Sequence, residues 1–205
     1  KKLVSLFKKV RKVLFFSNNK NKVEEVENLF YGSKIKIFNL NNFSATISPK
    51  ETGNSFKKNA NIKSLYGFKK FNLMCFADDS GICIEALNGE PGVNSKNYLK
   101  KKSKREIFKF IINQTKIKKK FNAFFQTTIC LSRSKNNHIF FTGRIDGKIA
   151  DKIVGKRGFG YDPIFIPNGY RKTFAEMNIE EKNKISHRGI ALVKLKKFFE
   201  INLLY

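Results

Sequence analysis

Two neighbouring carboxylates, Asp78 and Asp79, follow the apolar run Leu73 to Ala77 and precede Ser80 and Gly81. Such a place suits a hard cation. Magnesium takes oxygen ligands, keeps several waters and completes its shell with substrate phosphates, so one or two carboxylates are enough. The pattern predicts that the acids sit at a strand end, that Gly81 permits a tight exit, and that Ile82 to Leu87 continues as another strand. An adjacent acid pair also fits a solvated turn, so its surroundings decide. Glu51, just ahead of the Gly53-Asn54 turn signal, is a candidate for a further metal ligand, whereas Lys63 on the following helix reads as a surface lysine.

Three more segments offer binding chemistry. Ser17, Asn18, Asn19, Lys20, Asn21 and Lys22 lie between a short apolar run and a helical pattern. Free backbone N–H groups and the helix dipole there favour anions, and Lys22 adds a mobile positive charge. The loop is neither a Walker sequence nor a dinucleotide glycine pattern. In Gly158-Phe159-Gly160-Tyr161-Asp162-Pro163, an aromatic ring between glycines can be presented to a flat base, although packing into the core is the commoner fate of Phe. Lys182 and Ser186-His187-Arg188-Gly189 concentrate donors near a helix start. Arg188 opposes the helix dipole there, which points to an anion or acceptor at that site.

The elements that must position these residues read as mixed α/β. Val13 to Phe16 is a strand, and Val23, Val26 and Phe30 have helical spacing. Ile35 to Phe38 is a second strand, and Phe56 to Phe71 a helix. Ser103 with Glu106 forms a capping box ahead of a helix running to about Lys116. Asn122 to Leu131 and His138 to Ile145 form an antiparallel hairpin, and Ser186 caps a last helix that carries Ala191, Leu195, Phe198 and Phe199 on one face. Residues 1–12 form a basic extension, within which Lys1 to Arg11 fits a short amphipathic helix or a frayed tail, and residues 13–205 form a single domain.

With 205 residues and 41% hydrophobic content the chain can bury a substantial core. The 42 Lys plus Arg against 16 Asp plus Glu leave a formal charge of +26. The lysines are spread along the whole chain, so the expectation is a solvated surface that binds nucleic acid only non-specifically. Cys75, Cys83 and Cys130 contain no Cys-x-x-Cys pair, and His138 and His187 are the only histidines, which supports neither a disulfide framework nor a zinc site. No stretch approaches the roughly 18 apolar residues of a membrane span, and Lys1 to Lys12 is too interrupted for a signal peptide. A cytoplasmic protein is expected.

Taken in order, Glu51-Thr52-Gly53-Asn54 with Phe56 and Asn59-Ala60, Asp78 to Gly81, Ala86 to Gly89 with Pro91-Gly92, Gly158 to Pro163, and Ser186 to Gly189 resemble the inosine/xanthosine triphosphate pyrophosphatase family from Val13 to about Leu195. The resemblance implies an elongated two-lobed α/β fold with a mixed central sheet flanked by helices, an active cleft between the lobes, and a homodimer. It implies hydrolysis of ITP, dITP and XTP to the monophosphate and pyrophosphate with Mg2+ as cofactor. It makes Asp79 the general base and a metal ligand, and Glu51 a second ligand. Ser17 to Lys22 would hold the phosphates, while Ser80, Phe159, Gly160, Tyr161, Asp162, Lys182, His187 and Arg188 would contact the nucleotide. The chain departs from the family pattern at Ser17-Asn18-Asn19 and Asn21, where Asn at positive φ would preserve the loop, and at Ser95-Lys96-Asn97-Tyr98. The competing readings are a Maf-like nucleotide pyrophosphatase with another base preference and a basic nucleic-acid-binding protein that has lost catalysis.

Overall fold

A computed structural model describes residues 11–43 and 47–203. The expectation for Lys1 to Arg11 therefore falls almost wholly outside the described residues, although Arg11 already opens the first strand. Six strands form one mixed sheet in the order β2-β1-β3-β4-β5-β6: β1 (Arg11–Phe15), β2 (Ile35–Asn39), β3 (Cys75–Ile84), β4 (Asn122–Ser134), β5 (Asn137–Ile149) and β6 (Phe165–Pro167). β1 runs parallel to β2 and β3, and the remaining pairs are antiparallel. Among the described residues six α-helices flank the sheet: α1 (Lys20–Phe30), α2 (Phe56–Phe71), α3 (Ser95–Tyr98), α4 (Lys104–Lys118), α5 (Ile179–Ile185) and α6 (His187–Leu203). The α/β reading, the hairpin and the Ser103–Glu106 capping box all hold.

The expectation of two strands with the acids at an end is corrected. β3 is one ten-residue strand, and Asp78 and Asp79 lie in its middle, paired with Ile129 and Thr128 of β4. Glu85 to Leu87 is a 3-10 turn instead of strand. The reason lies in what β3 crosses. Phe76 packs with α1 and α6 on one face, and Cys75 and Ala77 join the cluster under α2. Farther along, Ile82 and Ile84 enter a different cluster with Ile107, Phe108 and Ile111 of α4. The polar stretch between them marks the gap between these cores, and backbone pairing to β4 carries the strand across it.

Gly143 of β5 brings the start of α6 onto the sheet. A Cβ at that position would run into the carbonyl of His187 and the backbone nitrogen of Ala191, so helix and strand meet at backbone distance. Ser186 ends α5 and accepts a bond from the Gly189 nitrogen at 3.0 Å, which caps α6 as expected.

Candidate active site

Because successive residues of a strand face opposite sides, the two aspartates enter different environments. Asp78 turns toward α1 and α6. Lys22 Nζ reaches its two oxygens at 3.0 and 2.9 Å, Arg188 Nε donates to Oδ2 at 3.2 Å, and the Ser80 hydroxyl donates to Oδ2 at 2.6 Å. Burial would raise this carboxyl, but the Lys22 and Arg188 charges outweigh it and hold Asp78 far below the usual carboxylate range. It is an anion that accepts four hydrogen bonds, three of them at Oδ2. Lys22, read from sequence as a mobile charge, is instead clamped, and its side chain is only 18% exposed.

Asp79 turns toward α2. Asn59 Nδ2 donates to its Oδ2 at 3.1 Å, and Lys63 Nζ lies 3.4 Å from Oδ1. The Asn59 side-chain carbonyl meanwhile accepts from the Gly53 nitrogen at 2.8 Å, so one side chain ties the turn after Glu51 to the Asp79 carboxylate. Lys63 also approaches Glu51 Oε1 at 3.2 Å. The surface reading of Lys63 is thereby corrected: it is 9% exposed and shared between two carboxylates. Burial pushes the Asp79 carboxyl above its ordinary value, with Lys63 and Asn59 opposing and Glu51 adding to the rise. A carboxylate so raised is a better proton acceptor than a solvated one.

A second network lies beside the first. Glu25 of α1 pairs with Lys182 at 2.8 Å and with Arg188, and Lys182 also reaches Asp162 Oδ2 at 2.7 Å. Asp162 in turn accepts from the Phe159 nitrogen at 2.8 Å, which fixes the aromatic loop between Gly158 and Gly160. The Phe159 ring lies 4.6 Å from Lys182 Nζ and 5.5 Å from Arg188 Cζ. Burial would raise the Glu25 carboxyl, yet Arg188 and Lys182 together hold it below the usual range. Glu25 was missed from sequence, where a Glu on an otherwise amphipathic helix reads as solvated. The available signal was its place three residues after Lys22, on the same helix face.

His187 stacks on Phe125 with ring centroids 4.6 Å apart and planes within 8°. Burial first, then the Arg188 and Lys182 charges, push its imidazole well below the ordinary value, so the ring is neutral. This has a stability consequence. In the unfolded chain a histidine takes up a proton near pH 6.5, but the folded one resists it, so stability is complete above that pH and falls as the pH drops below it. Urea unfolding at pH 7.5 and 5.5 should show the wild type losing about 1.4 kcal/mol more than His187→Gln over that interval. Equal losses would mean that His187 is protonated freely in the fold.

All the expected site residues except Lys20 line one cavity of about 790 Å³, with Asn59, Lys63 and Asp78 beside them. Lys20, the first residue of α1, does not line it. The expected positive φ in the first loop is also corrected: among the described residues the non-glycine positions with positive φ are Asn72, Asn88 and Lys119. Asn19 caps α1 in an extended conformation through its carbonyl and Lys22 N, and Asn21 lies inside the helix. The loop therefore forms without the left-handed residues that glycine would favour. Among the described residues no group of three His, Cys, Asp or Glu side chains is arranged as a metal site, and no helix is long and apolar enough to cross a membrane.

Comparison with known proteins places these features in context. Residues 13–198 match the Ham1 family. The chain is 41% identical over 189 residues to the dITP/XTP pyrophosphatase of Flavobacterium psychrophilum, covering 92% of this chain and 98% of that protein. It is 42% identical over 198 residues to the dITP/XTP pyrophosphatase of Borreliella burgdorferi, covering 91% and 96%. A Ham1 protein from Coxiella burnetii superposes with a TM-score of 0.84 at 35% identity over 93% of this chain and 99% of that one. The Staphylococcus aureus Ham1 protein gives 0.79 at 33% identity over 93% and 98%.

Proposed function

The chain belongs to the Ham1 family, and on that premise we propose that it hydrolyses dITP, ITP and XTP to the nucleoside monophosphate and pyrophosphate. The observation that carries this reading is one cavity in which Asp79 and Glu51 face a shared cation while Phe159, Lys182 and Arg188 gather beside them. The two carboxylates fit a magnesium ion. Both approach the single ammonium of Lys63, so they are close enough to serve one cation, and they offer the hard oxygen donors that magnesium prefers. Bound by Glu51 and Asp79 together with substrate phosphate, magnesium would supply charge neutralisation at the phosphoryl oxygens.

The chain's own residues supply the rest. Asp79, raised by burial and aligned by Asn59, accepts a proton from the water that attacks the α-phosphorus, and pyrophosphate leaves. The backbone of Ser17 to Asn19 and the N-terminus of α1 receive the phosphates. Phe159 stacks on the base, and Lys182 and Arg188 lie over its ring. Base choice follows from a count of donors. Arg188 spends three of its five N–H groups on Asp78, Glu25 and Ser80, and Lys182 spends two of its three on Glu25 and Asp162. The remaining hydrogens can only donate, so a 6-oxo purine satisfies them and the amino group of adenine leaves them unpaired. His187 extends the same logic. Its Nδ1 is buried without a partner, and with the ring proton on Nε2 the neutral imidazole would offer the base a further donor. This reading carries with it a cytoplasmic setting, consistent with three free cysteines, and a homodimer.

Pyrophosphate release from a nucleotide panel, with and without magnesium, tests the proposal. dITP, ITP and XTP should exceed ATP by at least about tenfold in kcat/KM, a difference of about 1.4 kcal/mol, and chelation should stop turnover. Orthophosphate as the product, or equal use of ATP, would sink it.

A further inference from the structure

The inner face of α4 is spent on the core: Ile107, Phe108, Ile111 and Ile112 are buried in the cluster that holds Ile82 and Ile84 of β3. An ordinary surface helix is polar on its other side. On α4, however, Phe110 is 48% exposed and Ile117 66%. Seven residues apart, they lie two turns from each other on one ridge of the helix. Beside it runs a second ridge of Arg105, Lys109 and Lys116, which the same helical period places together and which are all exposed. Asn113, also exposed, falls between the two ridges.

This face keeps its charge. Arg105, Lys109 and Lys116 take no part in the ion pairs among the described residues. Residues 104–120 carry seven Lys or Arg against one acid, Glu106, and that acid is bound by the Ser103 nitrogen and hydroxyl in the capping box. Charge therefore selects the occupant. A second copy of this chain would bring cations against cations, whereas a polyanion complements the face. The face is also distinct from the cavity: Lys104 reaches the cavity lining, but Arg105, Lys109, Phe110, Asn113, Lys116 and Ile117 do not.

The apolar ridge narrows the choice of polyanion. An anionic bilayer rewards side chains that sink roughly 5–10 Å past the headgroups. The Phe110 ring is half buried in the protein and so sits level with its surface, and the Asn113 amide beside it would lose its water on insertion. A single strand of nucleic acid asks less. Its phosphates meet the cationic ridge, a base lies on the exposed part of the ring, and base edges suit an amide that both donates and accepts.

We propose that the outer face of α4 docks single-stranded nucleic acid without regard to sequence, with Arg105, Lys109 and Lys116 on the phosphates and Phe110 under a base. A strand held there leaves the cavity open.

Fluorescence anisotropy with a labelled oligothymidylate of about 20 nucleotides, and with a duplex of the same length, tests this. One variant replaces Arg105, Lys109 and Lys116 together by Gln. A charge-matched control replaces Lys69, Lys152 and Lys197, which are exposed and lie elsewhere on the surface, by Gln. Phe110→Leu keeps an apolar side chain and removes the ring. At about 0.1 M salt the α4 triple variant should bind the single strand at least about tenfold more weakly, and the slope of log K against log salt should fall by about 2, while the control loses about threefold at most. Phe110→Leu should weaken the single strand about fivefold with the slope unchanged and leave the duplex, whose bases are already stacked, unaffected. Equal losses in the two triple variants would show diffuse charge at work and overturn the proposal. So would unchanged binding of the single strand by Phe110→Leu. Vesicles containing phosphatidylglycerol supply the remaining comparison: binding to them that is lost in Phe110→Leu, with the strand still bound, would assign the face to a membrane surface instead.

Discussion

Asp79→Asn should lower kcat by about 10²- to 10⁴-fold, the usual worth of general-base assistance, with weakened metal binding adding to the loss. Asn is nearly isosteric with Asp, so packing hardly changes. The hydrogen bonding does change. Asn59 presents its Nδ2 to Asp79 Oδ2 and is prevented from turning round because its own carbonyl holds the Gly53 nitrogen. The new amide must therefore direct its NH2 at either Asn59 Nδ2 or Lys63 Nζ, a donor against a donor. That mismatch should cost about 1–3 kcal/mol of stability, which leaves the variant folded. Calorimetry should still detect nucleotide binding while pyrophosphate release is lost. Near-normal turnover under saturating magnesium would remove Asp79 from the mechanism.

Asp78→Asn should fail differently, through the fold. Asp78 is the anion that Lys22 and Arg188 share, its side chain is 3% exposed, and its carboxyl is held far below the usual range by those cations. Replacing it by a neutral amide strands the Lys22 ammonium, whose side-chain exposure is 18%, and leaves Glu25 as the one carboxylate paired with Arg188 among the described residues. Removing one partner of a buried ion pair typically costs about 3–5 kcal/mol, about twice the expected loss in Asp79→Asn. Urea unfolding of the two variants side by side should show that order. Wild-type stability in Asp78→Asn would mean that the Lys22–Asp78–Arg188 cluster contributes little, and collapse of turnover in a stable Asp78→Asn with normal turnover in Asp79→Asn would reverse the roles assigned here.

Much of the site was legible because local rules place it. The Ser186 cap, the Ser103–Glu106 capping box and the Gly-rich turn at Phe159 each follow from residues within a few positions of one another. The helix over Phe56–Phe71 was legible for the same reason: Ser55 caps it and Asn72 ends it in the left-handed region. Lys22, Lys63 and Glu25 were read wrongly or passed over. Each is a long charged side chain on a helix, and such residues are solvated unless a partner meets them. Their partners, Asp78, Asp79, Lys182 and Arg188, lie between 16 and 163 positions away along the chain.

The aspartate pair shows the same division. Alternation along a strand already sends Asp78 and Asp79 to opposite faces, so their inequality was written in the sequence, as were the aromatic loop and the donor-rich start of α6. What surrounds each acid was a matter of tertiary structure. α1 and α6 bring two cations onto Asp78 and tie it up, whereas α2 brings Asn59 and Lys63 to Asp79 and leaves it raised and facing Glu51. The continuity of β3 was decided in the same way. Hydrophobic periodicity breaks at the acids because two cores meet there, and only hydrogen bonding to β4, which acts through the backbone and is indifferent to side-chain polarity, joins Cys75 to Ile84 in one strand.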